Sequence, residues 1–334
     1  MRTRRALIRV IYILTILLAT LAVTGMVFLL ESKTYVFNTQ ASKSLEVSSL
    51  PFPVGVNSST KLIVENPEVD EYFTETLANK APNSNNWKDV VASVFSSKAW
   101  YQSLASPVSR ILVIWPGERR EQITKHFGDI LLWDETEREQ FTSLIQANEP
   151  VISEGKFFPD TYVAHRKATP EEVAELVTTN FQTEILTRYT PEVQNNVSLE
   201  DALTIASLLE REASDFENMR EISGVIWNRL FINMPLQLDA TLQYARGSRA
   251  YEPKWWPVPR PQDKYINSAY NTYQNEGLPP GPIANPSTEA VLAALNPRTT
   301  NCLFYFHANN GDFYCSEDYE GHIQKLRTVF GRGK

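Results

Sequence analysis

The sequence predicts an α+β fold in which an N-terminal transmembrane helix precedes a small α/β subdomain and a larger mixed domain. Three observations support this class: an uncharged apolar stretch at 10–30, a buried-strand pattern at 110–115 that runs into a helix, and a series of capped helices before a hairpin signal near the C-terminus. Roughly 300 of the 334 residues lie outside the apolar stretch, which suffices for one large domain or two modest ones.

The composition argues against several classes of function. A net charge of -7 disfavours general nucleic-acid binding, which usually needs a basic face. Only four His and two Cys are present, so a zinc site built from clustered ligands is not expected. The sequence contains no H-E-x-x-H, no G-x-S-x-G, no P-loop and no G-x-G-x-x-G motif. We therefore expect neither a nucleic-acid partner nor a clustered metal site.

Residues 10–30 form the first element, an uninterrupted apolar stretch that is long enough to cross the hydrocarbon core as a helix. Four arginines lie within residues 1–9, whereas only one acidic and one basic residue follow the stretch closely. The positive-inside rule then places 1–9 in the cytoplasm and the rest of the chain outside. A cleaved signal peptide is the alternative, although its apolar region is normally shorter and no small-x-small cleavage site follows Leu30. We expect a single-pass protein of the cytoplasmic membrane.

The chain beyond the anchor divides into a predicted spacer at 31–57, a small N-terminal subdomain at 58–150 and a larger domain at 151–334. The spacer is rich in Ser, Thr and Val and has no strong period. In the small subdomain, the pattern predicts strands at 61–65 and 110–115 and helices at 87–104 and 118–127.

The larger domain begins its helices with clear capping signals. Thr169, followed by a proline and two acidic residues, predicts one helix start, and Ser198 predicts another, for a helix that runs through Ala213. Cys302 and Cys315 flank a hairpin signal, where they form either a disulfide or two free thiols. The other predicted elements are a helix through 225–230, an irregular Pro- and aromatic-rich region at 251–286, a short helix at 287–295, a hairpin from 303–307 and 312–316, and a terminal helix.

A candidate general acid lies on the second capped helix. Within 204–213, Glu212 shares a face with Leu208 and Leu209, whereas Glu210 lies over a different face. The two carboxylates therefore do not form a paired-carboxylate site by local geometry alone. An apolar face desolvates a carboxyl in part, which raises its pKa and favours a neutral general acid at Glu212. The alternative is an ordinary amphipathic helix with solvated charges.

Two further stretches carry polar groups that suit sugars. Gln237, Asp239 and Thr241 alternate with apolar residues, which predicts an extended segment whose polar side can bond to hydroxyls and acetamides, and a small sheet around Leu236. A plain half-exposed strand explains the same alternation. The prolines and glycines within 270–286 predict a rigid loop that presents Tyr and Asn side chains, the alternative being a structural loop packed by its own prolines.

Several motifs resemble, in order and spacing, those of the endolytic murein transglycosylase family. They are Ala-Ser-Leu-Leu-Glu-Arg-Glu at 206–212, Val-Ile-Trp-Asn-Arg-Leu at 225–230, Met-Pro-Leu-Gln-Leu-Asp at 234–239, Tyr-Asn-Thr-Tyr at 270–273, Gly-Leu-Pro-Pro-Gly-Pro-Ile at 277–283 and, upstream, Glu-Gly at 154–155 and Phe-Pro-Asp-Thr-Tyr at 158–162. The family's N-terminal anchor also agrees. Its small LysM-like subdomain is matched only at 111–127, and residues 32–110 depart from it.

The resemblance implies a catalytic role for Glu212, because the family's essential acid is the second Glu of this motif. It implies cleavage between N-acetylmuramic acid and N-acetylglucosamine in the interior of peptidoglycan strands, without a metal or cofactor. It also implies work beside peptidoglycan synthases (penicillin-binding proteins), trimming or terminating new strands. The residues that we expect to bind the sugars are Glu210, Asn228, Gln237, Asp239, Tyr270, Asn271, Thr272, Tyr273 and Asn285.

A single carboxyl predicts the product of the reaction. Glu212 would protonate the glycosidic oxygen, and the muramic acid's own C6 hydroxyl would attack C1, which leaves a 1,6-anhydro end. Asp239 is the open alternative, since a second carboxylate would make the enzyme a hydrolase. A serine peptidase, suggested by S-x-x-K at 58–61, lacks the S-D-N and K-T-G motifs. A non-catalytic wall-binding protein is disfavoured because Glu212, Gln237 and Asp239 are all present.

Overall fold

The computed structural model describes residues 50–67, 69, 108–247 and 254–331, together with Thr15, Thr20 and Thr24. The chain forms two compact units: Met1–Val47 with Ala81–Ile111, and Ser48–Lys80 with Leu112–Lys334. Nearly all of the described residues belong to the second unit.

Two predicted helices, at 10–30 and 87–104, lie outside the described residues, apart from the three threonines. Most of the predicted spacer at 31–57 lies outside them as well. Within the part of the chain that the structure describes, no helix is both long and apolar enough to span a membrane. The membrane anchor therefore stays a prediction from the sequence.

The first group of elements in chain order combines short strand pairs with helices. β1 (Val56–Asn57) pairs with β2 (Leu62–Ile63), and β3 (Ser109–Val113) pairs with β4 (Thr161–His165). The helices are α1 (Arg120–Leu131), α2 (Glu135–Ala147) and α3 (Pro170–Glu184). Asp134 caps α2 and Thr169 caps α3, each by accepting a backbone N–H of the first turn. The strands predicted at 61–65 and 110–115 and the helix predicted at 118–127 are confirmed, with shifted ends.

A hydrophobic core lies among α1, α2, β4 and α3. Phe127 and Phe157 pack against Phe141, with ring centroids 5.6 and 5.9 Å from it. The core continues along the chain to Val177. The domain boundary that we predict at residue 150 falls inside this core, so the small subdomain and the start of the larger domain share their packing.

The second group of elements surrounds a central helix. α4 (Pro191–Asn196) precedes α5 (Leu199–Glu212), and α6 (Phe216–Phe231), α7 (Asp239–Gly247) and α8 (Thr288–Leu295) pack against α5. Ser198 caps α5 by accepting the backbone N–H of Asp201 at 3.0 Å, as its sequence predicts. α5 is buried from residue 202 to residue 209, because it lies inside a second hydrophobic core.

The C-terminal part follows the predicted order of elements. Residues 254–287 are irregular apart from the short 3₁₀ helix Pro261–Tyr265. The hairpin consists of β5 (Phe304–His307) and β6 (Phe313–Ser316), and α9 (Tyr319–Phe330) follows it. Cys302 and Cys315 form a disulfide, with their Cα atoms 5.7 Å apart, so the bonded alternative is confirmed.

The extended segment predicted at 236–241 is wrong. α7 begins at Asp239, and Thr241 is fully buried inside it. Buried and exposed residues do alternate along 236–240, but Thr241 and Leu242 are both buried. Successive buried residues fit a helix that enters a core and not a half-exposed strand. No strand of the described residues lies here, so the small sheet that we expected in this region does not form.

A buried carboxyl joins the two groups of elements. Glu154 is fully buried, and its two oxygens accept the backbone N–H of Arg120, at the start of α1, at 3.1 and 3.2 Å. One of these oxygens also accepts the side-chain amide of Asn285 at 2.9 Å. Burial raises the pKa of Glu154 to about 8, and the nearby charge of Glu121 adds to the effect. The neutral carboxyl therefore predominates at pH 7.

We expect Glu154 to make the stability depend on pH. Its pKa is raised from 4.5 to about 8 on folding, so its contribution is complete below pH 4.5 and is lost as the pH rises towards 8. Linkage predicts that the free energy of unfolding falls by roughly 3 kcal/mol between pH 4.5 and 7 because of this group. Glu154→Gln does not titrate and should abolish this part of the pH dependence.

Denaturant unfolding at several pH values measures this effect in the wild type and in Glu154→Gln. Glu175→Gln, on the exposed face of α3, removes the same charge and is the control. Equal pH slopes in the wild type and in Glu154→Gln would contradict the prediction.

Candidate active site

Glu212 is the last residue of α5, and its half-buried carboxyl is held by donors from two other elements. Oε1 accepts the backbone N–H of Ala240, in the first turn of α7, at 3.4 Å. Oε2 accepts the hydroxyl of Tyr305, on β5, at 3.1 Å. Leu208 and Leu209 are fully buried, which anchors this end of α5 in the core. α5 thus supplies the carboxyl, and α7 and β5 fix its orientation.

The pKa of Glu212 is raised above its ordinary value. Burial is the largest cause, and it is opposed by the hydrogen bonds from Tyr305 and Ala240. The charge of Asp239 raises this pKa further, whereas the charge of Arg211 lowers it. A carboxylate at the C-terminal end of α5 also faces the negative end of the helix dipole. The balance shifts the carboxyl towards the neutral form, which can donate a proton, in the direction that the helical face in the sequence predicts.

Glu210 makes a different set of contacts. Its Oε2 accepts the backbone N–H and the hydroxyl of Ser287, the N-cap of α8, at 3.0 and 2.9 Å. Burial raises the pKa of Glu210 as well. The two carboxyls of the motif therefore do not pair, as predicted. Glu210 ties the end of α5 to the start of α8, and a contact with a sugar would have to use its other oxygen.

Two of the residues predicted to bind sugars, Asp239 and Tyr273, interact electrostatically with Glu212, and Gln237 lies two residues before Asp239. Gln237 and Asp239 are exposed, and Tyr273 is half-buried. Gln237 immediately precedes the turn into α7 and has a left-handed backbone, with φ 51°. Asp239 begins α7, and its Oδ1 accepts the hydroxyl of Tyr273 at 2.7 Å. The next residue, Ala240, bonds to Glu212, so Asp239 and its partner Tyr273 lie close to the carboxyl of Glu212.

Tyr270 and Asn228 support neighbouring elements. The half-buried ring of Tyr270 packs on Tyr244 of α7, with centroids 4.7 Å apart. The side-chain amide of Asn228, on α6, donates to the carbonyls of Thr300 and Cys302 at 2.6 and 3.2 Å. These bonds fix the chain just before β5. Any influence of Asn228 on sugar binding would therefore act through the strand that it positions.

Asn271, Thr272 and Asn285 are almost completely buried. Asn271 donates to two loop carbonyls, and the hydroxyl of Thr272 accepts a backbone N–H just before α7. Asn285 accepts the backbone N–H groups of Gly155 and Phe157 at 2.8 and 3.0 Å. The sequence predicts that these side chains contact the sugar directly. In this structure their burial prevents such contacts. Irregular loops leave backbone groups unpaired, and buried Asn and Thr side chains satisfy them.

Two groups at the site were not predicted from the sequence. Tyr305 lies in the predicted hairpin, and the alternation there separates its face from that of Phe304, but nothing local indicates that it meets α5. The N–H of Ala240 was missed because the segment was interpreted as extended.

Among the residues that the structure describes, no group of three or more His, Cys, Asp or Glu could hold a metal ion.

Comparison with known proteins finds a family and individual proteins to which this chain is similar. A model of the YceG-like family matches residues 80–328. An endolytic murein transglycosylase of Bacillus subtilis (strain 168) is 35% identical over 170 residues, which cover 51% of this chain and 46% of the relative. One of Streptococcus pneumoniae (serotype 2, strain D39) is 32% identical over 174 residues, which cover 52% of this chain and 31% of the relative. The matched part spans less than half the length of either relative.

The fold also has a counterpart among solved structures. The crystal structure of a yceG-like protein from Listeria monocytogenes superposes with a TM-score of 0.56 at 23% identity. The match covers 83% of this chain and 98% of that chain. It supports the α+β class predicted from the sequence.

We expect Tyr305→Phe to raise the pKa of Glu212, because the lost hydroxyl donates to Oε2 and favours the ionised form. NMR titration of the Glu212 carboxyl carbon measures the change, and Glu212→Gln assigns the resonance. Tyr314→Phe, on the paired strand, removes the same hydroxyl from the neighbouring position and is the control. An unchanged or lowered pKa in Tyr305→Phe would show that the hydroxyl does not support the carboxylate.

Proposed function

The chain belongs to the YceG-like family, and from that premise we propose that it is an endolytic murein transglycosylase. It cleaves the bond between N-acetylmuramic acid and N-acetylglucosamine inside peptidoglycan strands and leaves a 1,6-anhydromuramic end. The observation that carries the proposal is Glu212, a half-buried carboxyl with a raised pKa that is held between α7 and Tyr305. The activity named for the two bacterial relatives supports the substrate class.

In the first step, the neutral carboxyl of Glu212 donates its proton to the glycosidic oxygen as the bond to C1 of muramic acid breaks. The N-acetylglucosamine leaves with a new hydroxyl, and positive charge develops at C1. Glu212 becomes a carboxylate at this moment. The N–H of Ala240 and the hydroxyl of Tyr305 are already in place to stabilise the new charge. Burial thus retains the proton before the reaction, and the two donors favour its release.

In the second step, the carboxylate of Glu212 takes the proton of the C6 hydroxyl on the same muramic acid. The oxygen of that hydroxyl attacks C1, so a C1–O6 bond forms and Glu212 returns to its neutral form. The attack is intramolecular, and it therefore gains from proximity without a bound water. One carboxyl serves for both proton transfers.

A hydrolase that uses Asp239 as a second carboxylate is the other candidate. Asp239 is exposed, adjoins Ala240 in the chain, and its charge raises the pKa of Glu212. In glycosidases, such a carboxylate activates water or forms a covalent intermediate. Here Oδ1 of Asp239 is engaged by the hydroxyl of Tyr273, which favours a role in positioning the sugar. Product chemistry separates the two candidates, since hydrolysis leaves a reducing muramic end.

The cellular location is part of the proposal. The apolar stretch at 10–30, preceded by arginines, would anchor the chain in the cytoplasmic membrane with 1–9 inside and the remaining chain outside, where peptidoglycan is assembled. The Cys302–Cys315 disulfide supports this location, because disulfides persist in oxidising compartments. Peptidoglycan synthases (penicillin-binding proteins) are the proposed partners, and cutting a nascent strand beside one of them would end its elongation.

We expect Glu212→Gln to lower the rate of strand cleavage by a factor of about 10² or more, because an amide cannot donate the proton. Asp239→Asn should retain far more activity. Mass spectrometry of digests of purified peptidoglycan measures both the rate and the product. Glu320→Gln, exposed on α9, is the control. Reducing muramic ends in the digests of the wild type would overturn the mechanism in favour of hydrolysis.

We expect a reporter enzyme fused after Lys334 to be active only if it is of a kind that works outside the cytoplasmic membrane. The positive-inside rule gives this orientation, since the arginines precede the apolar stretch. Paired fusions, one reporter that needs an oxidising compartment and one that fluoresces only in the cytoplasm, measure it in the same cells. Activity of the cytoplasmic reporter alone would refute the proposed topology.

A further inference from the structure

Arg211, one residue before Glu212, has a guanidinium that is held in place by its neighbours but whose N–H groups donate no hydrogen bond among the described residues. Its side chain is exposed, and its guanidinium lies over the ring of Trp256, 4.1 Å from the centroid. On another side it lies against Gly117, where an added Cβ would be 3.3 Å from Nη1 and 3.4 Å from Cδ. Within the described ranges, it donates no hydrogen bond and forms no ion pair. Its N–H groups remain available for a ligand.

Gly117 and Trp256, which lie on two sides of the Arg211 guanidinium, are themselves held by hydrogen bonds. Gly117 has φ 79°, a conformation that favours glycine, and its N–H donates to the carbonyl of Asn285 at 2.9 Å. Nε1 of Trp256 donates to Oε1 of Gln122, on α1, at 3.0 Å. A guanidinium that is already held on an aromatic face loses little conformational freedom when it binds a planar anion. The structure thus places a preorganised cation next to the acid.

The neighbouring carboxyls leave the charge of Arg211 available. Glu210 and Glu212 flank it along α5, and both would neutralise it if they were ionised. Burial raises the pKa of each of them, and both make their hydrogen bonds elsewhere, Glu210 with Ser287 and Glu212 with Tyr305. Neither carboxyl therefore accepts an N–H of Arg211, although the charge of each raises the pKa of Arg211.

We propose that Arg211, on its Trp256 platform, is a subsite for a carboxylate carried by the muramic acid whose bond is cleaved, an inference that rests on the proposed function. A carboxylate matches the guanidinium fork and can accept two N–H groups at once. Muramic acid carries such a group on its lactyl ether, either as the lactyl carboxylate or as a carboxylate of the attached peptide. N-acetylglucosamine carries none. The charge of Arg211 acts on the carboxyl of Glu212. A carboxylate bound to Arg211 therefore brings muramic acid, and not N-acetylglucosamine, to Glu212.

Three preparations of strands with matched lengths test the subsite and distinguish the two sources of the carboxylate. The first bears peptides, the second is freed of peptides and exposes the lactyl carboxylate, and the third has that carboxylate converted to a neutral methylamide. Binding is measured with the full chain carrying Glu212→Gln, with and without Arg211→Gln. Cleavage is measured with Arg211→Gln alone. Arg327→Gln, exposed on α9, is the control of equal charge.

We expect Arg211→Gln to weaken binding by about tenfold on strands that carry the recognised carboxylate, and to raise KM by a similar factor. The loss should be selective relative to the methylamide strands, and Arg211→Lys should recover part of it because it keeps the charge without the fork. A selective loss on peptide-bearing strands assigns the peptide carboxylate, and one on peptide-free strands assigns the lactyl carboxylate.

Equal losses on all three preparations with a lowered Tm would show that Arg211 only packs on Trp256, and would overturn the subsite. The absence of a loss on either charged preparation would overturn it as well. If binding depends on Arg211 but the wild-type protein cleaves no strand, the subsite is supported and the proposed function fails. Cleavage to anhydro ends that is indifferent to Arg211 leaves the proposed function in place and removes the subsite.

Discussion

The proposed mechanism depends on one constraint: the carboxyl of Glu212 must keep its proton until a strand is bound and must then release it easily. Burial and the C-terminal end of α5 favour the neutral form, whereas the N–H of Ala240 and the hydroxyl of Tyr305 favour the ionised form. Burial alone would hold the proton too tightly, and the donors alone would remove it before the substrate arrives. A general acid requires both, held in a fixed geometry.

The surrounding fold supplies that geometry through a few contacts. Nε of Arg229 donates to the carbonyl of Leu303, just before β5, and Nη1 donates to the carbonyl of Leu236, just before α7, both at 2.6 Å. One buried guanidinium therefore sets the spacing between the two segments that carry the donors to Glu212. Glu210 fixes the helix that carries Glu212, since its bond to Ser287 holds the end of α5 against α8. Loss of Arg229 would leave these carbonyls without their donors in a buried place.

Local chemistry explains what could be predicted from the sequence. Ser198 and Thr169 mark helix starts because a cap acts within one turn, and the period of α5 places Glu212 with its leucines. The partners of Glu212 could not be predicted in this way, because Ala240 lies 28 residues away and Tyr305 lies 93 residues away. No local pattern indicates which distant segment returns to a helix end. The buried asparagines of the Pro-rich loop were misinterpreted for a related reason, since composition does not reveal whether an amide faces a sugar or the backbone.

The same geometry bears on why the C6 hydroxyl of the sugar, and not water, would attack C1. Water needs a base, and Oδ1 of Asp239 already accepts the hydroxyl of Tyr273, so its other oxygen would have to serve. In the proposed mechanism, Glu212 becomes a carboxylate in the first step, so that step itself creates the base for the second. The C6 hydroxyl is carried to that base by the muramic acid ring, whereas a water molecule would have to be ordered there at an entropic cost. In the proposed mechanism, a site that uses one carboxyl for both proton transfers therefore favours closure of the 1,6-anhydro bond over hydrolysis.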